Sequence, residues 1–251
     1  LIAFELGTYL KDTTMFQKVS LTGRIQGKGL TAVSADFSLA GSISSLGIRG
    51  YNYQNILTDA NFSKQFFKGF MKIDDPNLQF NASGSIDFRE GKNLVNLVGK
   101  IDTAFLKPLF HLEKNIFIQS NLDIDTKGLQ LDSLLGDVFL SKTSIQYEDE
   151  SLAIDSIHMV STRDSAKRKI TLQSSLMDLN LEGNYYYSTL FNDLHNLGKE
   201  FLLNLKNDKE ATKKYYSEKK KSTQEYFATL QVTLHNINPI IDLTDIDLHI
   251  A

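Results

Sequence analysis

From Leu78 to Phe88 every even position is apolar or glycine (Leu78, Phe80, Ala82, Gly84, Ile86, Phe88), and Gln79, Asn81, Ser83, Ser85 and Asp87 between them are polar. A period of two places alternate side chains on opposite faces of a strand, so the run reads as a strand with one dry and one wet face. The same split recurs in Ile116, Ile118, Ser120, Leu122 and Ile124 against Gln119, Asn121, Asp123 and Asp125. It returns in Ile170, Leu172, Ser174 and Leu176 against Thr171, Gln173 and Ser175. Turn signals separate these runs: Asp74-Asp75-Pro76-Asn77, Arg89 to Asn93, Lys127-Gly128, Glu148-Asp149-Glu150 and Arg163-Asp164-Ser165. Their spacing predicts an antiparallel meander. Thr103 to Leu112 breaks the alternation, and Ala104 to Leu109, around Pro108, reads as one helical turn capping the sheet.

Seven times a glycine stands between two apolar residues at i−2 and i+2: Gly23, Gly41, Gly69, Gly84, Gly99, Gly136 and Gly183. Each falls on the apolar face of its run. Glycine inside a strand is unfavourable by roughly 0.5–1 kcal/mol and marks a bend, a bulge or a close approach to the backbone. A series of strands with a gap on the dry side gives a curved sheet with an apolar trough, or bends that close an ordinary sandwich. Both readings fit the pattern.

The period changes after Tyr187. Leu190, Leu194, Leu197, Phe201 and Leu205 step by three and four, one stripe of an amphipathic helix. Residues 207–227 are charged, with Glu210 four before Lys214, a supporting helical pair. Alternation resumes at Ala228, Leu230, Val232 and Leu234. The predicted organisation is a β-region over residues 1–187, a helical insertion over 188–226 and a return to the sheet over 227–251. Because the chain opens on Leu1 and stops in mid-pattern at Ile250-Ala251, it reads as a section of a longer protein.

Charge adds one asymmetry. Seven lysines against three acids between Lys206 and Lys221 give a local +4, while the whole chain carries −3. The rest is therefore acidic, which argues against a nucleic-acid partner. Absent cysteine excludes disulfides and thiolate chemistry. None of the five histidines is paired at helical spacing, and Asp123-x-Asp125 with Gly128 fails as a calcium loop because Lys127 and Leu134 hold positions that need oxygen ligands. No nucleophile elbow or phosphate loop is present. The reading is of a non-enzymatic protein with no catalytic residue, metal or cofactor. The lysine-rich helix reads as a solvated helix or as a contact for anionic headgroups or another envelope protein.

Three stretches resemble the repeat region of TamB-type proteins in the form seen in Bacteroidota: Gly50 to Ile56, Phe67 to Leu78 with its Asp-Asp-Pro-Asn-Leu segment, and Ala82 to Phe88. Leu134-Leu135-Gly136, Ser144 to Tyr147, and Ser174 to Leu176 leading into Leu181 to Tyr185 are similar too, so the resemblance spans roughly Leu46 to Leu194. TamB-type proteins belong with the AsmA-like, bridge-like lipid transfer proteins. The resemblance implies a mainly β fold, an elongated curved antiparallel sheet (a β-taco) with a hydrophobic groove; the α-helical insertion near the C-terminus is read from the periodicity and does not map onto the family's common pattern. The resemblance also implies a periplasmic location with an inner-membrane anchor outside this chain, phospholipid acyl chains as cargo, and an outer-membrane Omp85-type partner met through other regions. The role implied is phospholipid transport between the two membranes, support of outer-membrane protein assembly, or both.

The alternation set assigned to the groove is Leu78, Phe80, Ile86, Phe88, Leu97, Ile101, Ile116, Ile118, Leu122, Ile124, Ile145, Ile154, Ile170, Leu172 and Leu181, with the seven glycines setting its curvature. Strands of five or six residues, ~17–20 Å long, match an acyl chain, about half of a ~30 Å bilayer core. The rival reading is a purely structural or adhesive β-sandwich or solenoid whose dry face is closed by protein.

Overall fold

A computed structural model of the chain describes residues 1–10, 13, 14, 16–29, 34, 36–89, 91–128, 131–165, 167–190, 193, 196, 200, 203, 209–218 and 227–236. Thirteen strands form one antiparallel sheet: β1 (Phe4–Glu5), β2 (Phe16–Lys28), β3 (Asp36–Ile48), β4 (Tyr51–Ser63), β5 (Phe66–Asp75), β6 (Leu78–Asp87), β7 (Leu94–Phe105), β8 (Ile116–Lys127), β9 (Leu135–Tyr147), β10 (Glu150–Asp164), β11 (Lys167–Ser174), β12 (Met177–Gly183) and β13 (Ala228–Leu234). Each pairs only with its sequence neighbours, and the curved sheet does not close on itself. At ~4.8 Å per strand it extends about 58 Å. Helix α1 (Leu6–Leu10) precedes β2, α2 (Leu106–Phe110) joins β7 to β8, and α3 (Lys209–Glu218) lies in the connection from β12 to β13. The rest of the leucine stripe beyond Leu190, residues 219–226 and residues 237–251 lie outside the described residues.

The meander sorts its connections onto two rims. One rim carries the turns β2–β3, β4–β5, β6–β7, β8–β9 and β10–β11 and the long β12–β13 connection. The other carries β3–β4, β5–β6, β7–β8, β9–β10 and β11–β12. The chain exposes 16684 Å², whereas a compact monomer of 28.3 kDa exposes roughly 11,200 Å². The sheet has little second layer.

The strands are longer than five or six residues: β2, β3, β4 and β9 have 13 each and β10 has 15, about 43 Å for 13. The cause is a line of irregularities at which alternation changes phase. In β3 the inward set is Phe37, Leu39, Gly41 and Ile43, then Leu46 and Ile48, because Ser44 is skipped in the pairing with β2. Asn55 in β4 (φ 52°) and Lys142 in β9 (φ 51°) mark the same step, and the β7–β8 and β8–β9 ladders shift at Ile101/Ala104 and Gln119/Asn121. Each bulge bends its strand and increases the local twist.

The glycines meet one another across strand pairs. Gly23 faces Gly41, and Gly69 stands between Ala60 and Gly84 in register. A Cβ on Gly41 would lie 2.8 Å from the Gly23 Cα, and one on Gly69 would lie 2.6 Å from the Ala60 Cβ. On the apolar side neighbouring strands thus converge until only glycine or alanine fits. Gly99 continues this belt opposite Ala82. Gly136 and Gly183 instead stand at strand ends, second in β9 and last in β12.

Candidate functional site

The ladders place the apolar side chains in rows that run across the sheet. One row passes from β2 to β13 without a polar residue: Ile25, Leu39, Ala60, Gly69, Gly84, Leu97, Ile124, Val138, Met159, Leu172, Leu179, Val232. Twelve strands at ~4.8 Å make it about 53 Å long. Beside it run Phe37, Phe62, Phe67, Ile86 and Val95 towards the first rim. Towards the second rim lie Leu21, Ile43, Ile56, Ile73, Phe80 and Ile101, and beyond them Leu78, Ala104, Ile118, Ile145 and Leu152. None of these positions carries a charge.

Fourteen of the fifteen residues assigned to the groove from sequence lie on this face. Leu78, Phe80, Ile86, Leu97, Ile101, Ile116, Ile118, Leu122, Ile124, Ile145 and Leu172 are half-buried, so water reaches them. Among the described residues no second sheet covers the face. Phe88 departs from the expectation: β6 ends at Asp87, and Phe88 lies beyond it at 49% exposure, its N–H donating to the Gln65 carbonyl. Asp87 turns the chain there by binding the Arg89 guanidinium at 2.8 Å and 2.5 Å, which holds its carboxyl below the usual range.

Three further assignments also change. Ile170 and Leu181 are covered by protein, packed with Tyr185, Tyr187 and Leu190, which fold back over β10 to β13 from the first rim. Ile154 is buried with Leu152 and Leu176. The flap is tied down by polar contacts. Ser188 donates to the Asp132 carboxylate from its N–H (2.9 Å) and its hydroxyl (2.7 Å), which lowers the Asp132 pKa. The Tyr187 and Ser161 hydroxyls share a 2.5 Å hydrogen bond. Arg168, 4% exposed, donates to the Asp132 carbonyl and lies 5.1 Å from the Tyr187 ring centroid. Burial raises the Tyr185 pKa well above that of a free tyrosine. Beyond the flap, the Tyr215 hydroxyl binds the Glu200 carboxylate at 3.2 Å, joining α3 to the helical residues before it.

The second rim is closed by other means. Phe4 and Leu6 pack against Val19, Ile43, Ile56 and Ile73. Helix α2, with Leu109 buried, contacts β8 and reaches back to β4. Asp75 is the pin of this rim: its carboxylate accepts from the Tyr51 hydroxyl (2.5 Å), the Gln54 N–H (3.0 Å) and the Asn77 N–H (2.8 Å). The Asp-Asp-Pro-Asn segment therefore sets a turn and fixes β4 to β5. Burial and the Asp75 hydrogen bond raise the Tyr51 pKa.

The sequence-based assignment missed the apolar face of β2 to β5, and Val138, Leu140, Ile157 and Met159 in β9 and β10. The phase change at each bulge hid them, since Leu152 and Ile154 are even while Ile157 and Met159 are odd. Two apolar sets in opposite phase around a polar pair were the available signal. Neither a family model nor a curated protein nor a solved structure matches this chain. Among the described residues no group of histidine, aspartate and glutamate is placed to hold a metal ion, and no helix is long and apolar enough to cross a membrane.

Proposed function

We propose that this chain is a non-enzymatic section of a periplasm-spanning protein. Its trough shields lipid tails during phospholipid transport between inner and outer membranes, with support of outer-membrane protein assembly as a further role of the whole protein. One observation carries the reading: the apolar row that crosses twelve strands, on a face left half-exposed in its middle. A continuous row suits cargo that slides. Burial is non-directional and scales with area, so a tail gains equally at each step. The resemblance of Leu46 to Leu194 to TamB-type repeats supports the same reading. The clusters that cover β10 to β13 favour the rival, a closed structural module, for that end only.

A photo-crosslinking scan tests the proposal. Photoreactive residues at Leu97, Ile118 and Ile124 should give covalent phospholipid adducts in cells, and the exposed positions Gln79, Gln119 and Asp123 on the other face should not. Ile170 and Leu181 should crosslink within the chain. Adducts absent from the first set, or equal on both faces, would refute a lipid trough.

A further inference from the structure

The two rims differ in charge and in closure, and in the same sense. Within two residues of the turns on the first rim, excluding the long β12–β13 connection, the cations are Lys28, Lys64, Arg89, Lys92, Lys127, Arg163, Lys167 and Arg168. Against these eight stand four described acids, Asp36, Asp87, Asp132 and Asp164, and by sequence Glu90 falls in the same β6–β7 connection. The long β12–β13 connection, which holds the +4 lysine-rich segment, leaves from this rim too. The second rim is the reverse. Asp74, Asp75, Glu113, Glu148, Asp149 and Glu150, with Asp178, outnumber Arg49, Lys107 and Lys114.

Closure follows the same division. The acidic rim is covered over β2 to β5 by the N-terminal segment, and α2 contacts β4 and β8 on the same rim. Among the described residues, none covers the cationic rim from β2 to β8 in this way. There Phe37 stacks on Phe62 and Phe67 meets Phe62 at a tilt, with ring centroids 4.9 Å and 5.0 Å apart, just inside the rim. Lys64, Lys92, Lys127 and Lys167 make no ion pair among the described residues. About 40 Å of strand separates the rims, several times the ~8 Å Debye length at physiological salt, so each rim acts on a nearby charge by itself.

Resting on the trough reading above, we propose that the cationic rim from β2 to β8 is a headgroup rail. It orients each lipid with its tails against the apolar rows and its head at Lys28, Lys64, Lys92 and Lys127, and it favours glycerophospholipids of net negative charge. Lysine suits a rail better than a receptor, because its ammonium is a hydrated point charge on a flexible stem rather than a fork fixed in one geometry. A head can pass from one lysine to the next without a deep well.

The test uses the full chain and three probes offered from vesicles: phosphatidylglycerol (anionic), phosphatidylcholine (zwitterionic) and diacylglycerol (two tails and no charge). The retained lipid is extracted and counted per protein. The wild-type chain should retain phosphatidylglycerol over phosphatidylcholine, by a margin that shrinks as salt is raised. The fourfold variant Lys28→Glu, Lys64→Glu, Lys92→Glu and Lys127→Glu should lose phosphatidylglycerol tenfold or more and keep diacylglycerol within twofold. Reversal of the other rim (Glu113→Lys, Asp149→Lys, Glu150→Lys) should leave phosphatidylglycerol no weaker. Diacylglycerol retention in the variant also reports that it is folded. If both lipids are retained alike before and after reversal, or if either rim's reversal has the same effect, the rail is wrong and the trough survives. Should the wild-type chain retain none of the three, the trough itself fails and the rail with it.

Discussion

Alanine in place of a strand-interior glycine ordinarily stabilises a protein, by roughly 0.5–1 kcal/mol, because the unfolded chain loses freedom and the strand gains a side chain. At Gly69 the structure requires the opposite sign. A new Cβ there would lie 2.5 Å from the Ala60 Cα and 2.6 Å from its Cβ. Real Cβ atoms are not found that close to such neighbours, and these are backbone and a side-chain stub that cannot rotate away. The β4–β5 pair must part, or the sheet must flatten at its crease. Overpacking of this kind costs about 1–3 kcal/mol, which for a chain of this length lowers Tm by about 3–9 °C. Ser83→Ala, exposed on the opposite face one strand away, should stay within ~0.5 kcal/mol. Urea and thermal unfolding of the three proteins decide the matter. A neutral or stabilising Gly69→Ala would refute the convergence of strands on the apolar side, and with it the physical reason for the glycine belt.

Two further outcomes follow from the rims. Asp75→Ala leaves the Tyr51 hydroxyl and the Gln54 and Asn77 N–H groups without their acceptor. At 1–3 kcal/mol for a stranded buried group, the loss should be about 2–4 kcal/mol, read as a lower urea midpoint with an unchanged slope. Alkaline titration should destabilise the protein through its tyrosines. Tyr51, Tyr53 and Tyr185 have folded pKa values raised, first by burial, above the unfolded value of about 10. Their contribution is complete below pH 10 and disappears as pH rises towards the folded values, since the unfolded state loses its protons first. Tyr185→Phe should make the fall in stability above pH 10 shallower, and an unchanged slope would show that the Tyr185 phenol is not shielded.

Much of this architecture was legible in the residues. The alternation of β6, β8 and β11 gave the sheet and its dry face, and the Pro108 break gave α2. Strand length was hidden, because Ser44, Asn55 and Lys142 are ordinary polar residues whose effect is to shift the phase on either side. A scan for strict period two ends at each of them. The flap over Ile170 and Leu181 was hidden for another reason: it depends on where residues 185–190 return in space, which no local pattern encodes. Tyr185 and Tyr187 do continue the phase of Leu181 and Gly183, the one local sign that the apolar face goes on past the strand. The rims were legible only in part. The charges of the turns are plain in the sequence, but their separation by sign emerges once successive turns are known to alternate between two edges.

On the proposed lipid-trough reading, the glycine belt and the lysine rail would solve different halves of one energetic problem. A tail lying on a flat sheet would keep about half its surface in water. At ~0.8 kcal/mol per buried methylene, some fifteen methylenes half-wetted cost about 6 kcal/mol per tail, enough to hold lipid in the bilayer. Folding the sheet over the tail removes most of that cost, and the Gly23–Gly41 and Ala60–Gly69–Gly84 contacts are what let the walls approach. Folding alone leaves the tails indifferent to direction and gives a head no preferred side. The proposed rail would supply that preference at the surface, where each contact is weak and screened by salt. If this division holds, Gly69→Ala should reduce retention of phosphatidylglycerol and diacylglycerol by the same factor. Reversal of the rail lysines should separate the two. The pair of variants thus assigns the walls and the rim to distinct terms in one transfer free energy.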